Sequence, residues 1–255
     1  MEFQNEIGLI QRKMAASVAG SSRRLEILDV LDIQTGQQVL DIGCGGGHLL
    51  EELAKAVGPK GKAIGLDTSE DQLKQAKEKC ALYNNASTLL GFANKINLER
   101  NSCDAVASAQ TFEYIEDVDE SIEEVARILK PSSIFVNISI LWDYYKFYGA
   151  EDNLNNLIQD TFKAHCFHQM LPTTLSGRLK KFGFKQLKHK PLPVFITTTD
   201  DNSPAKYAAE VMAQFAIQQG VSIDKVKQWQ NQLKLAEDEG RFAYTNLPIL
   251  TYGYL

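Results

Sequence analysis

The stretch VLDIGCGGGHLL at residues 39–50 constrains the fold of this chain more than any other feature. Apolar residues typical of a buried strand run into a loop with four glycines, and the loop opens a helix. A glycine loop at the carboxyl end of a strand brings bare backbone N–H groups close to a ligand. We therefore expect a parallel sheet with a ligand site at its carboxyl edge.

The first 140 residues alternate between strand and helix patterns. Strands are expected at 37–43, 62–67, 87–93, 103–110 and 132–140, and helices at 22–33, 46–58, 69–84 and 119–130. Gly58 is expected to end the second of these helices, and Ser69 to cap the third. Short connections between alternating elements favour a mostly parallel sheet with helices on both faces.

Past residue 140 the pattern becomes more helical. Helices are expected at 153–170 and 174–184, a strand at 185–198, a helix pair at about 203–239 and an extended tail at 241–255. Because no linker rich in Pro, Gly or Ser interrupts the chain, we expect a single domain over 1–255. It would comprise an N-terminal cap (1–20), a cofactor-binding core (22–140) and a substrate-side half (141–255) whose helical insertion forms a lid.

Composition narrows the class of partner. A hydrophobic content of 44% over 255 residues is globular, and a net charge of −5 argues against a nucleic-acid partner. The N-terminus lacks a signal-peptide core, and no later segment approaches an apolar span of about 18 residues. We expect a reduced, cytoplasmic protein, monomeric or homodimeric, with a small-molecule partner and without membrane insertion, disulfide or metal site. The four cysteines, Cys44, Cys80, Cys103 and Cys166, form no C-x-x-C pair.

The glycine loop does not fit the two commonest phosphate-binding patterns. A dinucleotide fingerprint G-x-G-x-x-G counted from Gly43 meets His48 at its sixth position, and a Walker loop would need a Gly-Lys-Ser/Thr end. Asp41, two residues before the first glycine, would repel a pyrophosphate. A carboxylate there suits a ligand with positive charge.

Strand, D-x-G-x-G-x-G, helix and a second strand ending in Asp67 resemble motif I of the class I S-adenosylmethionine-dependent methyltransferases. Three later segments are also similar to landmarks of that family. They are GLDTSEDQLKQA after the second strand, GFANKINLERNSCDAV around the third and fourth, and ARILKPSS before the fifth. The resemblance covers residues 22–136, and within the family it is nearest to the ubiquinone/menaquinone-type small-molecule methyltransferases.

The resemblance implies an α/β, Rossmann-like, doubly wound sheet of seven mostly parallel strands, with S-adenosylmethionine as cofactor and S-adenosylhomocysteine as product. It places Asp67 at the ribose hydroxyls and Gln72 where a residue often packs on adenine. Phe92 replaces an aspartate that accepts from the adenine amino group, so a backbone group near Ala93, the Asn94 amide or water would take that role, or Phe92 would stack on the ring. The full set of expected cofactor residues is Asp41, Gly43, Cys44, Gly45, Asp67, Thr68, Gln72, Phe92, Ala93, Asn94 and Gln110.

Catalytic residues are less evident than the cofactor site. Glu113 is a candidate general base or a helix-start acid. His165 and His168, three residues apart, are candidate bases if one helical face carries both, and the alternatives are a metal pair or solvated or packing histidines. Five aromatic residues between 142 and 148 are candidates for an apolar substrate wall or for plain core packing: Trp142, Tyr144, Tyr145, Phe147 and Tyr148. The basic run 178–190 is interpreted as a solvated face.

We therefore expect methyl transfer by in-line displacement to an aromatic, quinone-like or terpenoid carbon or oxygen. The alternatives are a nucleotide-dependent oxidoreductase, which His48 and Asp41 disfavour, and a protein that binds the cofactor without transferring methyl. Segments 1–20 and 203–239 are expected to close over the substrate.

Overall fold

The computed structural model of the chain describes residues 5–255. Its helices are α1 (Asn5–Ala16), α2 (Val18–Leu31), α3 (His48–Val57), α4 (Glu70–Lys79), α5 (Val118–Ile128), α6 (Asp152–Phe162), α7 (Leu171–Lys181), α8 (Pro204–Gln218) and α9 (Ile223–Asp238). Its strands are β1 (Gln38–Ile42), β2 (Lys62–Asp67), β3 (Ala86–Leu90), β4 (Cys103–Ala109), β5 (Leu129–Ile140), β6 (Lys146–Tyr148), β7 (Lys185–Pro191), β8 (Val194–Ile196), β9 (Ala243–Asn246) and β10 (Pro248–Tyr254).

Seven strands of the described chain form one sheet in the order β3-β2-β1-β4-β5-β10-β7. The strands from β1 to β5 run parallel to their neighbours, and β10 lies antiparallel between β5 and β7. The predicted α/β sheet of seven mostly parallel strands is therefore confirmed. Its carboxyl edge brings together the ends of β1, β2 and β4, where the sequence places the glycine loop, Asp67 and Gln110.

Helices cover both faces of this sheet, as the alternating pattern predicted. Successive residues of β1 point to opposite faces, so Val39 packs with α2, α3 and α4, whereas Leu40 packs with α5 and α7. Both side chains are fully buried. Complete burial of an aliphatic side chain contributes about 1.5–3 kcal/mol, so the two faces hold the glycine loop on a rigid base.

The boundaries of α3 and α4 follow the signals in the sequence. Gly58 ends α3 with φ of 66°, and the Ser69 hydroxyl caps α4 by accepting from the Gln72 N–H. Both predictions are confirmed. Gly47 begins α3 with φ of 82°, and a Cβ there would lie 2.8 Å from the Cα of Ala76. Glycine is required at this position because the loop packs directly against α4.

A third apolar cluster lies beyond the carboxyl edge of the large sheet. It combines α6, α8 and α9 with a small antiparallel sheet of order β6-β9-β8. Trp229 and Phe147 are fully buried in it, and their rings meet edge to face at a centroid distance of 5.4 Å. The predicted insertion at 203–239 is thus the helix pair α8–α9, and it shares a core with the small sheet. Helix α8 also packs against α1.

The small sheet was not predicted, because its strands are only three or four residues long. The segment expected as one strand at 185–198 is β7 in the large sheet and β8 in the small one, separated by Leu192 and Pro193. Proline has no N–H for a ladder and a fixed φ, which favours a strand break there. The tail 241–255 divides in the same way, into β9 and β10.

The expected single helix at 153–170 is wrong. Helix α6 ends at Phe162, a short 3₁₀ turn follows at Lys163–His165, and residues 166–170 are irregular. The N–H groups of Phe167 and His168 both donate to the carbonyl of Glu113. The chain leaves the helix because these backbone groups are bound to the loop after β4.

The basic run 178–190 lies on the end of α7 and on β7. Arg178 and Lys181 pair with Asp119, and most of β7 is exposed. Lysines on the edge strand of a sheet oppose pairing with another chain. Within residues 5–255, no helix has both the length and the apolar character needed to cross a bilayer.

Ser132, near the start of β5, adopts φ of 66°. We predict that Ser132→Gly raises the free energy of unfolding by about 0.5–1 kcal/mol, since glycine adopts this backbone conformation without strain. The bonds between the Ser132 N–H and the Leu255 carbonyl, and between the Leu255 N–H and the Ser133 carbonyl, use backbone atoms and are retained. Urea denaturation measures the change. Ser133→Gly is the control and should destabilise, because Ser133 is not in that conformation; equal effects of the two variants would contradict the prediction.

Candidate cofactor and acceptor site

The glycine loop is fixed to the end of β2 by backbone hydrogen bonds. The N–H groups of Gly43 and Cys44 donate to the Leu66 carbonyl at 2.8 and 3.0 Å, and the Gly45 N–H donates to Oδ2 of Asp67 at 2.9 Å. A Cβ on Gly43 would lie 2.0 Å from Oγ1 of Thr111. The loop therefore holds Asp67 beside it. Burial raises the pKa of the Cys44 thiol well above its ordinary value, which fits the packing role of a small residue.

Asp41 lies at the end of β1 with 2% of its surface exposed. Its Oδ2 atom has no hydrogen-bond partner among the described residues. Burial, and next the charge of Asp67, raises the pKa of Asp41 to about 8, although Arg24 opposes the shift. Glu52, which also raises this pKa, has an Oε2 atom that is buried without a partner in the described chain. Two carboxylate oxygens without donors fit a cationic ligand group.

A cavity of about 160 Å³ lies beside Asp41 at the carboxyl edge of the sheet. Four parts of the fold line it: the glycine loop, the end of β4, helices α1 and α2, and an aromatic wall that meets α8. Asp41, Gly43, Cys44, Gly45 and Gln110 of the expected cofactor residues are among the lining residues. These five are the residues expected near the methionine end of the cofactor, and the structure brings them together around one cavity.

Two of the five predicted aromatic residues, Trp142 and Tyr145, line this cavity. Their ring centroids lie 4.8 Å apart. Phe147 is instead part of the third apolar cluster, and Tyr144 and Tyr148 are exposed. Two further wall residues, Tyr114 and Phe162, were not predicted. They lie on a 3₁₀ turn and at the end of α6, and no local pattern shows that both segments face the same space.

Arg23 is a further lining residue that the sequence did not reveal. It lies in the second turn of α2, and its Nη1 donates to Oε1 of Gln110. Gln110 follows β4 with φ of 55°. Enclosure by protein atoms lowers the pKa of the Arg23 guanidinium, which still keeps its charge at neutral pH. A cation therefore lies at the end of the cavity where the aromatic wall begins.

Glu113 is fully buried beneath this point and is not among the described residues that line the cavity. The Ser139 hydroxyl donates to its Oε2 at 2.9 Å, and the Ile140 N–H donates to its Oε1 at 3.4 Å. Burial raises the pKa of Glu113 to about 7 against these hydrogen bonds and the charge of Arg23. Its position indicates a counter-charge for Arg23 more than a base that touches an acceptor.

The two histidines do not share a helix face, contrary to the expectation. His165 is buried and stacked on Phe162 at 4.0 Å, its Nδ1 pairs with the Phe162 carbonyl at 2.6 Å, and burial lowers its pKa to about 4. His168 is partly exposed, with Nε2 3.1 Å from the Glu116 carbonyl. Neither histidine is among the described residues that line the cavity. Their predicted catalytic role has no geometric support.

The expected adenine-side residues divide between two places. Thr68 and Phe92 line a cleft beside α4, with Phe92 67% exposed. Ala93 is buried in the core, and the Asn94 amide donates to Oε2 of Glu120 at 2.9 Å on the α5 side. Asn94 is thus directed away from that cleft. Phe92, expected near adenine, lines it together with Thr68, which was expected among the cofactor residues.

Helix α1 lies across the glycine loop. Gln11 accepts from Nε2 of Gln72 at 2.9 Å, and Arg12 donates to Oε1 of Gln72 at 3.4 Å and to Asp71 at 3.2 Å. Arg12 lines both the cavity and the cleft of Phe92. Residues 1–4 of the predicted cap lie outside the described part of the chain. The described part of the cap therefore lies between the cavity beside Asp41 and the cleft of Phe92, and an extended cofactor would occupy both.

Residues 33–240 match the family model of a methyltransferase domain. The chain belongs to this methyltransferase family. It is 34% identical over 113 residues, 44% of its own length and 47% of the relative, to a demethylmenaquinone methyltransferase from Staphylococcus aureus. The chain spans less than half the length of the curated relatives it matches first. The predicted resemblance to S-adenosylmethionine-dependent methyltransferases is confirmed.

Solved structures of methyltransferase-like proteins share the fold. The YcgJ protein from Bacillus subtilis has a TM-score of 0.62 at 18% identity, covering 91% of this chain and 97% of that protein. Phosphoethanolamine N-methyltransferase 2 from Haemonchus contortus, solved with S-adenosyl-L-methionine, has a TM-score of 0.58 at 19% identity, covering 91% of this chain and 52% of that one. At these identities the likeness concerns the fold.

We predict that Asp41→Asn stabilises the ligand-free protein increasingly as the pH rises. The pKa of Asp41 is about 8 in the folded protein and about 4 in the unfolded chain, so between these pH values the unfolded chain loses its proton first. The free energy of unfolding of the wild type therefore falls from about pH 4 to pH 8 relative to the variant. The difference in unfolding free energy should grow by up to about 1.4 kcal/mol per pH unit. Urea denaturation at pH 5, 6, 7 and 8 measures it, with the exposed Asp224→Asn as control. A difference that stays constant with pH would argue against the assignment.

Proposed function

We propose that the chain transfers a methyl group from S-adenosylmethionine to a small-molecule acceptor. The observation that carries the proposal is the Oδ2 atom of Asp41, which is buried without a donor beside a cavity with an aromatic far wall. A cationic amino-acid end would supply the missing donor. A cationic group favours ionisation of Asp41, whereas a pyrophosphate would oppose it, which disfavours an oxidoreductase that uses a dinucleotide.

The residues present fit this cofactor along its length. Asp41 and the loop at Gly43–Gly45 would hold its amino-acid end, with Gln110 at the end near the aromatic wall. Asp67 accepts one N–H on each oxygen, from Gly45 and Ser69 at 2.9 Å, and each carboxylate oxygen keeps a lone pair for a ribose hydroxyl. Thr68 and Phe92 would border the adenine, and Gln72 would support the loop.

The cofactor supplies a methyl group on a sulfonium, which is electrophilic without further activation. The protein therefore has to align an acceptor atom with that methyl group and keep water out. Trp142, Tyr145 and Phe162 form an aromatic boundary of the cavity, with the Trp142 ring tilted against the other two, and Tyr114 borders the same space. The fully buried core beneath this wall makes it rigid enough to orient an acceptor.

We further propose that the acceptor is aromatic or quinone-like. Offset stacking on aromatic side chains is worth about 0.5–1.5 kcal/mol beyond area burial, and it selects planar rings over flexible chains. The local similarity to a demethylmenaquinone methyltransferase supports the same class. We also propose a reducing, cytoplasmic location, supported by four cysteines that are all free thiols in the described chain.

The test is transfer of labelled methyl from S-adenosylmethionine into a panel of naphthoquinols, phenols and indoles. We predict that the wild-type protein labels at least one compound and that Asp67→Asn weakens S-adenosylmethionine binding by at least tenfold, since an amide cannot accept from two hydroxyls with charge assistance. Calorimetry measures the dissociation constant.

Asp224→Asn, on the exposed face of α9, is the matched control and should bind as the wild type does. Near-normal affinity of Asp67→Asn would refute the ribose assignment. Binding without labelling of any compound in the panel or in a whole metabolite extract would refute methyl transfer.

We propose that α1 must lift for the cofactor to enter, because Arg12 lies between the two spaces. We predict that S-adenosylhomocysteine at ten times its Kd slows tryptic cleavage after Arg12 and Lys13 roughly tenfold. Cleavage after the exposed Lys60 in the turn before β2 is the internal control and should not change. Equal slowing at both places, or at neither, would show that α1 is not the gate.

A further inference from the structure

Besides His48, the side chains of three arginines and one aspartate line the cavity, and three of these four have a partner or a proposed role. Arg12 pairs with Asp71 at 3.2 Å, and Arg24 pairs with Glu52 at 2.9 Å. Asp41 faces the proposed cofactor. Arg23 is the fourth, and no carboxylate of the described chain lies within salt-bridge distance of it. The cavity therefore holds one cation without an anionic partner.

The guanidinium of Arg23 makes one hydrogen bond to the described residues. A guanidinium has five N–H donors, and the described residues accept one bond, from Nη1 to Gln110. Its Nε atom is buried without a hydrogen-bond partner among the described residues. A buried donor without a hydrogen bond is unfavourable, so the guanidinium is suited to bind an additional acceptor.

The surroundings of Arg23 place its guanidinium at the end of the cavity near the aromatic wall. The groups that act on its charge are Tyr244, Tyr145 and Glu113. The arginine that acts on Asp41 is instead Arg24. The two adjacent arginines of α2 thus lie toward different ends of the cavity. Arg24 lies toward Asp41 and the glycine loop, and Arg23 lies toward the aromatic wall.

Glu113 makes no ion pair with Arg23 among the described residues, because other groups hold its carboxylate. Ser139 donates to Glu113 at 2.9 Å and itself accepts from Nδ2 of Asn137 at 2.8 Å. This buried chain keeps the acid behind Arg23 as a counter-charge without a direct bond. Such backing lowers the cost of enclosing the cation and leaves its planar fork open toward the cavity.

We propose that the methyl acceptor carries an anionic oxygen group, a carboxylate or an ionised phenol or enol, that binds Arg23 while its ring lies against Trp142 and Tyr145. The inference rests on the proposed methyl transfer and narrows its acceptor class, since a terpenoid hydrocarbon would leave Arg23 unpaired. Arg23 is the residue that touches the acceptor, and Gln110 and Glu113 are positioning residues.

The experiment measures binding to the protein saturated with S-adenosylhomocysteine, so that no turnover occurs. The probes are isosteric pairs: benzoate and benzamide, 4-hydroxybenzoate and 4-hydroxybenzamide, and indole-3-carboxylate and indole-3-carboxamide. A second arm compares 4-nitrophenolate with 4-nitroanisole and separates phenolates from carboxylates. Calorimetry gives each dissociation constant for the wild type, Arg23→Gln, Arg23→Lys and the surface control Arg241→Gln.

We expect the wild type and Arg241→Gln to bind at least one anion ten times more tightly than its neutral partner. Arg23→Gln should reduce that preference below twofold, and Arg23→Lys should retain part of it, because lysine keeps the charge without the planar fork. S-adenosylhomocysteine affinity should stay within threefold of the wild type in every variant. Arg23→Lys also keeps the comparison valid if Arg23→Gln does not fold.

Three results would overturn the inference. They are no anion preference in the wild type with any pair, a preference that survives in Arg23→Gln, and a loss of S-adenosylhomocysteine affinity in both Arg23 variants. The last result would mean that Arg23 holds the carboxylate of the cofactor. Failure of the wild type to bind S-adenosylhomocysteine at all would instead refute the proposed function, so the two failures are distinguishable.

Discussion

Three backbone N–H groups bound to the end of β2 are the interaction on which the site depends. The loop after β1 gives those of Gly43 and Cys44 to the Leu66 carbonyl and that of Gly45 to Asp67. Parallel pairing of β1 with β2 and β4 sets the spacing of these strand ends, and the loop then fixes where each carboxylate lies. These bonds therefore hold Asp41, Asp67 and Gln110, which follow or end three different strands, in one site.

The same arrangement reduces the stability of the ligand-free protein. Asp41, Asp67 and Glu52 are acids in one partly buried region, and Arg24 is the cation that acts on Asp41 there. Buried carboxylates without donors are unfavourable, and proteins tolerate such sites where a ligand completes them. A ligand with positive charge offsets this unfavourable term, so the arrangement favours such a ligand over an anionic one.

The sequence was sufficient to predict the core because its signals are local. Asp41 before the glycines, Gly58 after α3 and Ser69 before α4 each act within a few residues, and all three lie where expected. Arg23 was missed because its role comes from the packing of α2 over the strand ends, which are about 20 residues or more away. The histidine prediction was wrong for a related reason: helical spacing continued past Phe162, but backbone bonds to Glu113 ended the helix.

The short connections between the two sheets limit how the protein moves. Leu192 and Pro193 join β7 to β8, and Leu247 alone joins β9 to β10. Residues 141–145 provide the third link, and part of that link is the aromatic wall itself. Three such short tethers at one edge restrict how far the small sheet can move relative to the large one. The aromatic wall is thereby tied through β5 to the strand ends that carry the glycine loop, and helices α1, α2 and α8 complete the cavity around them.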